Sequence, residues 1–237
     1  MFSSPAQLSF EFGQLSGAAF ENYIGGVSAD EVTRLQAFLS DGAGSALLTG
    51  APGTGKTHLL LAACTQEWRA ERGAVFAPLA ELEARGPRVL RGLGDRELVA
   101  LDDIHAVAGE RLWEEALFDI WNRCDERRTR LVMALGAGFM SDFTLPDLVS
   151  RLVGSERIRL RALPDIYLVE AVNELAHRRG LSLTAGVVHY LLRRVSRDMH
   201  SLDSLIADLD RASLAHQRHL TIPFVRDWLA GPRVTSS

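Results

Sequence analysis

The chain has 237 residues, 47% of them hydrophobic and 24% charged, with a formal net charge of −4 and two cysteines. This is enough apolar material for one large core, or for one core with a small satellite domain, and it offers no global basic field to nucleic acid. Cys64 and Cys124 lie far apart in apolar helical patterns and read as buried, reduced thiols. No stretch approaches the ~20 apolar residues of a membrane span and no secretory signal opens the chain, so a soluble cytoplasmic protein without a membrane partner is expected.

In chain order, residues 1–18 are rich in Ser, Gly and Ala and contain a short apolar hook, QLSFEF, at Gln7 to Phe12. FENYIGG follows, and then SADEVTRLQAFLSDG, a helix with Ser28 and Glu31 at capping-box spacing. SALLTG, AVFAPLA, ELVALDD, TRLVMALG and ERIRLRAL are five short apolar strands. Helical patterns separate several of them, among them THLLLAACTQEWRAERG and ERLWEEALFDIWNRCDERR. Alternation of this kind predicts an α/β fold with a parallel sheet covered on both faces. Beyond Leu163 every apolar run has helical spacing, punctuated by Pro164, Gly180 and Ser201. The expected organisation is a flexible segment over 1–18, a nucleotide-binding α/β domain over 19–163 and an all-α lid over 164–237.

GAPGTGKT, from Gly50 to Thr57, matches G-x-x-x-x-G-K-[ST] in full, after a strand and opening a helix. Gly50, Pro52, Gly53, Thr54 and Gly55 form a loop whose backbone N–H groups can turn around phosphate oxygens, and the helix N-terminus adds positive dipole. Lys56 should reach the β- and γ-phosphates, the Thr57 hydroxyl should bind Mg²⁺, and His58 continues the same run. Of the 26 basic residues only Lys56 is lysine. A compact ammonium suits that slot where a forked guanidinium does not, which accounts for the lone lysine. LVALDDIH supplies a second element: Asp102, at the carboxyl end of an apolar strand, would hold Mg²⁺ through water, and Asp103 would polarise an attacking water. The expected ligand is a purine nucleotide, ADP or ATP. Ala134, Leu135 and Gly136 stand where such ATPases usually carry a polar residue near the γ-phosphate, which predicts slow hydrolysis and a switch-like role for the nucleotide.

The four tryptophans, Trp68, Trp113, Trp121 and Trp228, sit at helical spacing among apolar neighbours and read as packing residues. The seven histidines form no metal-ligand spacing, and DERRTR reads as a solvated helix end.

These motifs in this order resemble the AAA+ family and, within it, the initiator clade that includes DnaA. The resemblance covers about Gln7 to Leu229. It implies that Tyr23 and Ile24 of FENYIGG pack on adenine, that Arg151 of LPDLVSRL is an arginine finger, and that Arg197 of SRDMHSL is the sensor arginine of the lid. LWEEALFDIWNR and LDRASLAHQRHLTIPFV are similar to the regulators of that clade that inactivate DnaA. QLSFEF is similar to peptides that dock in the groove of the bacterial sliding clamp, with Gln7 at the rim and Leu8, Phe10 and Phe12 in the apolar pocket.

The resemblance thus implies a negative regulator of replication initiation. It would sit on the DNA-loaded clamp of DNA polymerase III and stimulate hydrolysis of DnaA-bound ATP, with Arg151 acting in trans and DNA contacted mainly through the clamp. A homo-oligomer, a dimer, that covers Phe10 and Phe12 is expected, as is a location at the nucleoid. The alternative is a helicase loader of the DnaC or IstB type, which would need a helicase-binding domain ahead of the nucleotide fold.

Overall fold

The computed structural model describes residues 18–24, 26–41, 43–194, 199–216 and 220–230. The chain divides into two compact units, with the boundary after Arg161.

The first unit is a five-stranded parallel sheet with helices on both faces. Its elements are α1 (Ala29–Asp41), β1 (Gly44–Gly50), α2 (Lys56–Arg69), β2 (Ala74–Pro78), the single turn α3 (Leu79–Leu82), β3 (Leu98–Asp102), α4 (Arg111–Arg127), β4 (Arg130–Gly136), α5 (Pro146–Gly154) and β5 (Glu156–Arg159). The strand order is β2-β3-β4-β1-β5, so β3, β4 and β1 lie side by side at the centre.

Successive strand residues point to opposite faces. Leu47, Val99, Leu101, Leu131 and Met133 therefore meet Trp113, Leu117 and Ile120 of α4 and Leu148 and Leu152 of α5 in one core. Ala46, Leu48, Ala100, Val132 and Ala134 meet Leu35 and Leu39 of α1 and Leu59, Leu60 and Cys64 of α2 in the other. Burial on both faces is why these strands read as unbroken apolar runs rather than as alternating ones. Both cysteines are free and buried, and burial pushes the thiols up, Cys124 to about 12.

Ser28 precedes α1, and its hydroxyl accepts the backbone N–H of Arg161 at 3.0 Å, stitching the start of that helix to the chain leaving β5. One local expectation is corrected. The strand expected to run through AVFAPLA stops at Pro78, and residues 79–95 form a series of single turns. Proline has no N–H to continue a ladder.

The second unit holds α6 (Asp165–Arg178), α7 (Ala185–Leu192), α8 (Met199–His216) and α9 (Ile222–Ala230). Leu168, Ala171, Val172 and Leu175 of α6 recur at three- and four-residue spacing, as do Leu202, Leu205, Ile206 and Leu209 of α8, and both sets are buried. The Thr184 side chain caps α7 by accepting from Val187 N, and Arg179 pairs with Asp203 at 2.8 Å to tie the end of α6 to α8. Among the described residues no helix is long and apolar enough to cross a membrane.

Candidate functional site

The loop from Ala51 to Gly55 links the carboxyl end of β1 to the first turn of α2. Its path depends on two glycines. A Cβ on Gly50 would stand 2.7 Å from Thr54 Oγ1 and 2.8 Å from the Leu160 carbonyl. Gly55 caps α2 at φ 87°, and a Cβ there would stand 2.5 Å from the Tyr23 ring. The loop is braced from within and without: Thr54 Oγ1 donates to Ala51 O at 2.9 Å, and the Tyr23 hydroxyl donates to Thr54 O at 2.9 Å. His58 Nε2 lies 3.0 Å from Ala19 O, and its ring lies 6.1 Å from that of Tyr23, so the segment before α1 is fastened across the loop. Pro52 is exposed at the loop's tip with Gly53 half-buried behind it, and Ile24 is half-buried next to Tyr23.

Lys56 is 7% exposed. Its ammonium donates to the carbonyls of Gly50 at 2.9 Å and Ala51 at 3.1 Å. Burial lowers its pKa from the usual lysine range, and the nearby Asp103 and Asp102 oppose that. Asp102 is 2% exposed at the end of β3. Burial pushes its carboxyl up, the hydroxyl of Thr57 draws it back down, and Asp103 acts in the same direction as burial. Asp102 Oδ1 accepts the N–H of Asp103 at 3.0 Å, while Asp103 turns through a left-handed conformation at φ 49° and leaves its own carboxylate partly in solvent.

The carboxyl ends of β1 and β3, on either side of β4, thus bring together an ammonium bonded, among the described residues, to two neutral carbonyls, a helix N-terminus, and a hydroxyl paired with a buried carboxylate. This arrangement suits a phosphate chain with a divalent cation. The loop N–H groups and Lys56 would take the phosphates. Thr57 and Asp102 offer one hydroxyl and one carboxylate, so Mg²⁺ there would take its other ligands from phosphate and water.

Arg151 lies elsewhere. It is an exposed residue of α5, and its guanidinium stacks over the Trp121 ring, 4.3 Å from the centroid. Trp121 Nε1 donates to Ser45 Oγ at 3.2 Å, and Ser45 Oγ lies 2.8 Å from Ser155 Oγ. Ser45 is near the amino end of β1, and Gly50 closes the other. At about 3.3 Å per residue the two ends are ~16 Å apart. Arg151 therefore belongs to the opposite rim of the sheet from Lys56.

Several groups that organise these positions were not singled out in the sequence. Glu114, fully buried on α4, accepts from Gly109 N at 2.7 Å, Thr144 N at 3.0 Å, Thr144 Oγ1 at 3.1 Å and Leu145 N at 2.6 Å. It pins the turn that leads into α5 and so aims Arg151. Glu67, also fully buried, is gripped bidentately by Arg72 and by Arg130, whose side chain is 9% exposed. Arg130 closes the DERRTR run, which is therefore not wholly a solvated helix end. His105, two residues beyond Asp103, packs its ring on Phe139 at 4.5 Å. The spelling LDDIH contains that histidine, but nothing nearby in sequence marks it. Gln7, Leu8, Phe10, Phe12 and Arg197 lie outside the described residues.

Comparison with known proteins adds the lineage. The family model for the Hda lid domain matches residues 165–229. A curated protein of Haemophilus influenzae is 35% identical over 223 residues, covering 93% of this chain and 96% of the relative. Domain III of the Thermotoga maritima replication initiation protein DnaA superposes with a TM-score of 0.72 at 17% identity, covering 90% of this chain and 95% of that one. AMPPCP-bound DnaA from Aquifex aeolicus gives 0.66 at 20% identity, covering 83% and 65%. The sheet order, the phosphate-type loop, the helical second unit and these matches together place the chain in the Hda-like, DnaA-related AAA+ family.

Proposed function

We propose that this chain binds ADP or ATP with Mg²⁺ at the Gly50–Thr57 loop and inactivates DnaA from a position on the DNA-loaded sliding clamp. Gln7, Leu8, Phe10 and Phe12 hold it to the clamp. Arg151 enters the nucleotide site of ATP-bound DnaA and stabilises charge on the phosphoryl group as it transfers to water. Tyr23 and Ile24 border the base. Lys56 and the loop N–H groups would hold the phosphates and Thr57 and Asp102 the Mg²⁺, which would supply positive charge beside the phosphates.

The observation that carries this reading is the location of Arg151 at the rim opposite Lys56, with its fork held flat on Trp121. An exposed guanidinium with no carboxylate partner among the described residues supports work on a neighbour's phosphate rather than on its own. Fingers of this kind contribute about 10³–10⁵ in rate to phosphoryl transfer. The test measures ATP hydrolysis by DnaA with clamp loaded on DNA, adding wild-type protein, Arg151→Ala, or the pair Gln7→Ala and Phe12→Ala. Wild type should stimulate, and both variants should lose the stimulation. Equal stimulation by Arg151→Ala removes the finger, and equal stimulation by the Gln7/Phe12 variant removes the clamp tether.

A further inference from the structure

The end of β4 lacks a polar side chain, and the structure shows what fills that space. Gly136 pairs with Gly50 in register across β4 and β1. The His105–Phe139 stack lies directly on it: a Cβ on Gly136 would stand 2.6 Å from Phe139 Cδ2 and 3.3 Å from His105 Nε2. No side chain fits at 136 while the stack is in place. The imidazole is also wired into the loop. Gly136 N donates to His105 Nδ1 at 3.4 Å, the next residue's Ala137 N donates to Gly50 O at 3.2 Å, and that same carbonyl receives the Lys56 ammonium.

The tautomer follows. Nδ1 accepts the Gly136 N–H, so the proton of the neutral ring sits on Nε2. Asp103 Oδ1 stands 3.9 Å from Nδ1, beyond hydrogen-bond reach. Among the described residues Nε2 has no acceptor. His105 thus carries an uncommitted N–H donor at the carboxyl ends of β3 and β4, next to the carbonyl that anchors Lys56.

We propose that His105, borne on the turn after β3, distinguishes a nucleoside triphosphate from a diphosphate in this site, in the role a polar β4 residue would otherwise have. The inference rests on the reading of the loop as a nucleotide site. His105 acts through Nε2–H as a donor to the terminal phosphate, and Phe139 holds the ring in plane. Gly136 is small because the sensing group arrives from the neighbouring strand.

The experiment measures dissociation constants of fluorescent ATP and ADP analogues for wild type, His105→Ala, His105→Gln and Lys56→Ala. Loss of one hydrogen bond to a charged group predicts about a tenfold or greater loss of ATP-analogue affinity in His105→Ala, with ADP-analogue affinity unchanged. The glutamine amide restores a donor and should recover part of the loss, which a merely structural role would not produce. Equal weakening for both analogues, or none for either, overturns the inference while Lys56→Ala still abolishes binding. Failure of the wild type to bind either analogue overturns the nucleotide reading itself, and this inference with it.

Discussion

Glu114 is the most exacting test of how α5, the helix that carries Arg151, is placed. The carboxylate lies wholly inside the first unit and receives four donors, three of them backbone N–H groups of Gly109, Thr144 and Leu145. Desolvation alone would raise its pKa, but the backbone donors and the Thr144 hydroxyl together hold it below the usual carboxylate range. Replacement with Gln keeps the shape and exchanges one acceptor oxygen for a donor. With the amide oxygen toward Thr144 and Leu145, the NH₂ faces the Gly109 N–H. One buried donor then goes unsatisfied, at about 1–3 kcal/mol, and the remaining bonds lose their charge assistance. The expected total is about 3 kcal/mol, or ~6–12 °C in the melting transition of a domain this size. The pH dependence fixes the cause. A carboxyl with a folded pKa below its unfolded value of about 4.3 contributes stability that is present above that value and lost as pH falls through the folded pKa. Wild type and Glu114→Gln should therefore differ most at pH 6–8 and converge in acid, when thermal unfolding is followed by circular dichroism across that range. A gap below about 0.5 kcal/mol at neutral pH, or one that persists unchanged in acid, refutes the assignment.

Other perturbations address other links. Glu67→Ala leaves Arg130 buried without a counter-charge and should destabilise by about 3–5 kcal/mol in urea unfolding, whereas replacing Glu67 and Arg130 together by apolar residues should recover most of that. Gly55→Ala forces a Cβ into the Tyr23 ring at a positive φ, and should weaken nucleotide-analogue binding in fluorescence titrations by at least tenfold. Trp121→Ala removes the platform under Arg151, a contact of about 0.5–1 kcal/mol, and should reduce stimulation of DnaA severalfold with the chain's own nucleotide affinity unaltered.

The parts legible in the sequence are those written in local spacing. Gly50, Gly55 and Lys56 encode a backbone path within eight residues, and the five strands announce themselves because both faces of a parallel sheet are apolar. The stretch from Leu79 to Asp95 has neither period, and it forms short turns that no pattern predicts. Glu114 carries no mark in the sequence because most of its donors, on Thr144 and Leu145, lie some 30 residues downstream. Arg130 looks solvated for the same reason, with Glu67 63 residues upstream. His105 stands two residues beyond Asp103 in the sequence, yet its contacts depend on Gly136, on a different strand.

Lys56 also gives the molecule an unusual chemical property. It is the only side-chain amine in the chain, so every reagent that modifies ε-amines has a single internal address. Apart from a terminal α-amine, acylation, reductive methylation and amine cross-linking would all report on one nitrogen, now sheltered by two carbonyls. The extent of modification becomes a direct readout of loop opening, and protection by a bound ligand becomes a footprint that needs no mapping. The same economy makes the protein vulnerable. A single acetylation would cancel the charge that Lys56 sets against the Gly50 and Ala51 carbonyls, and no other lysine could replace it.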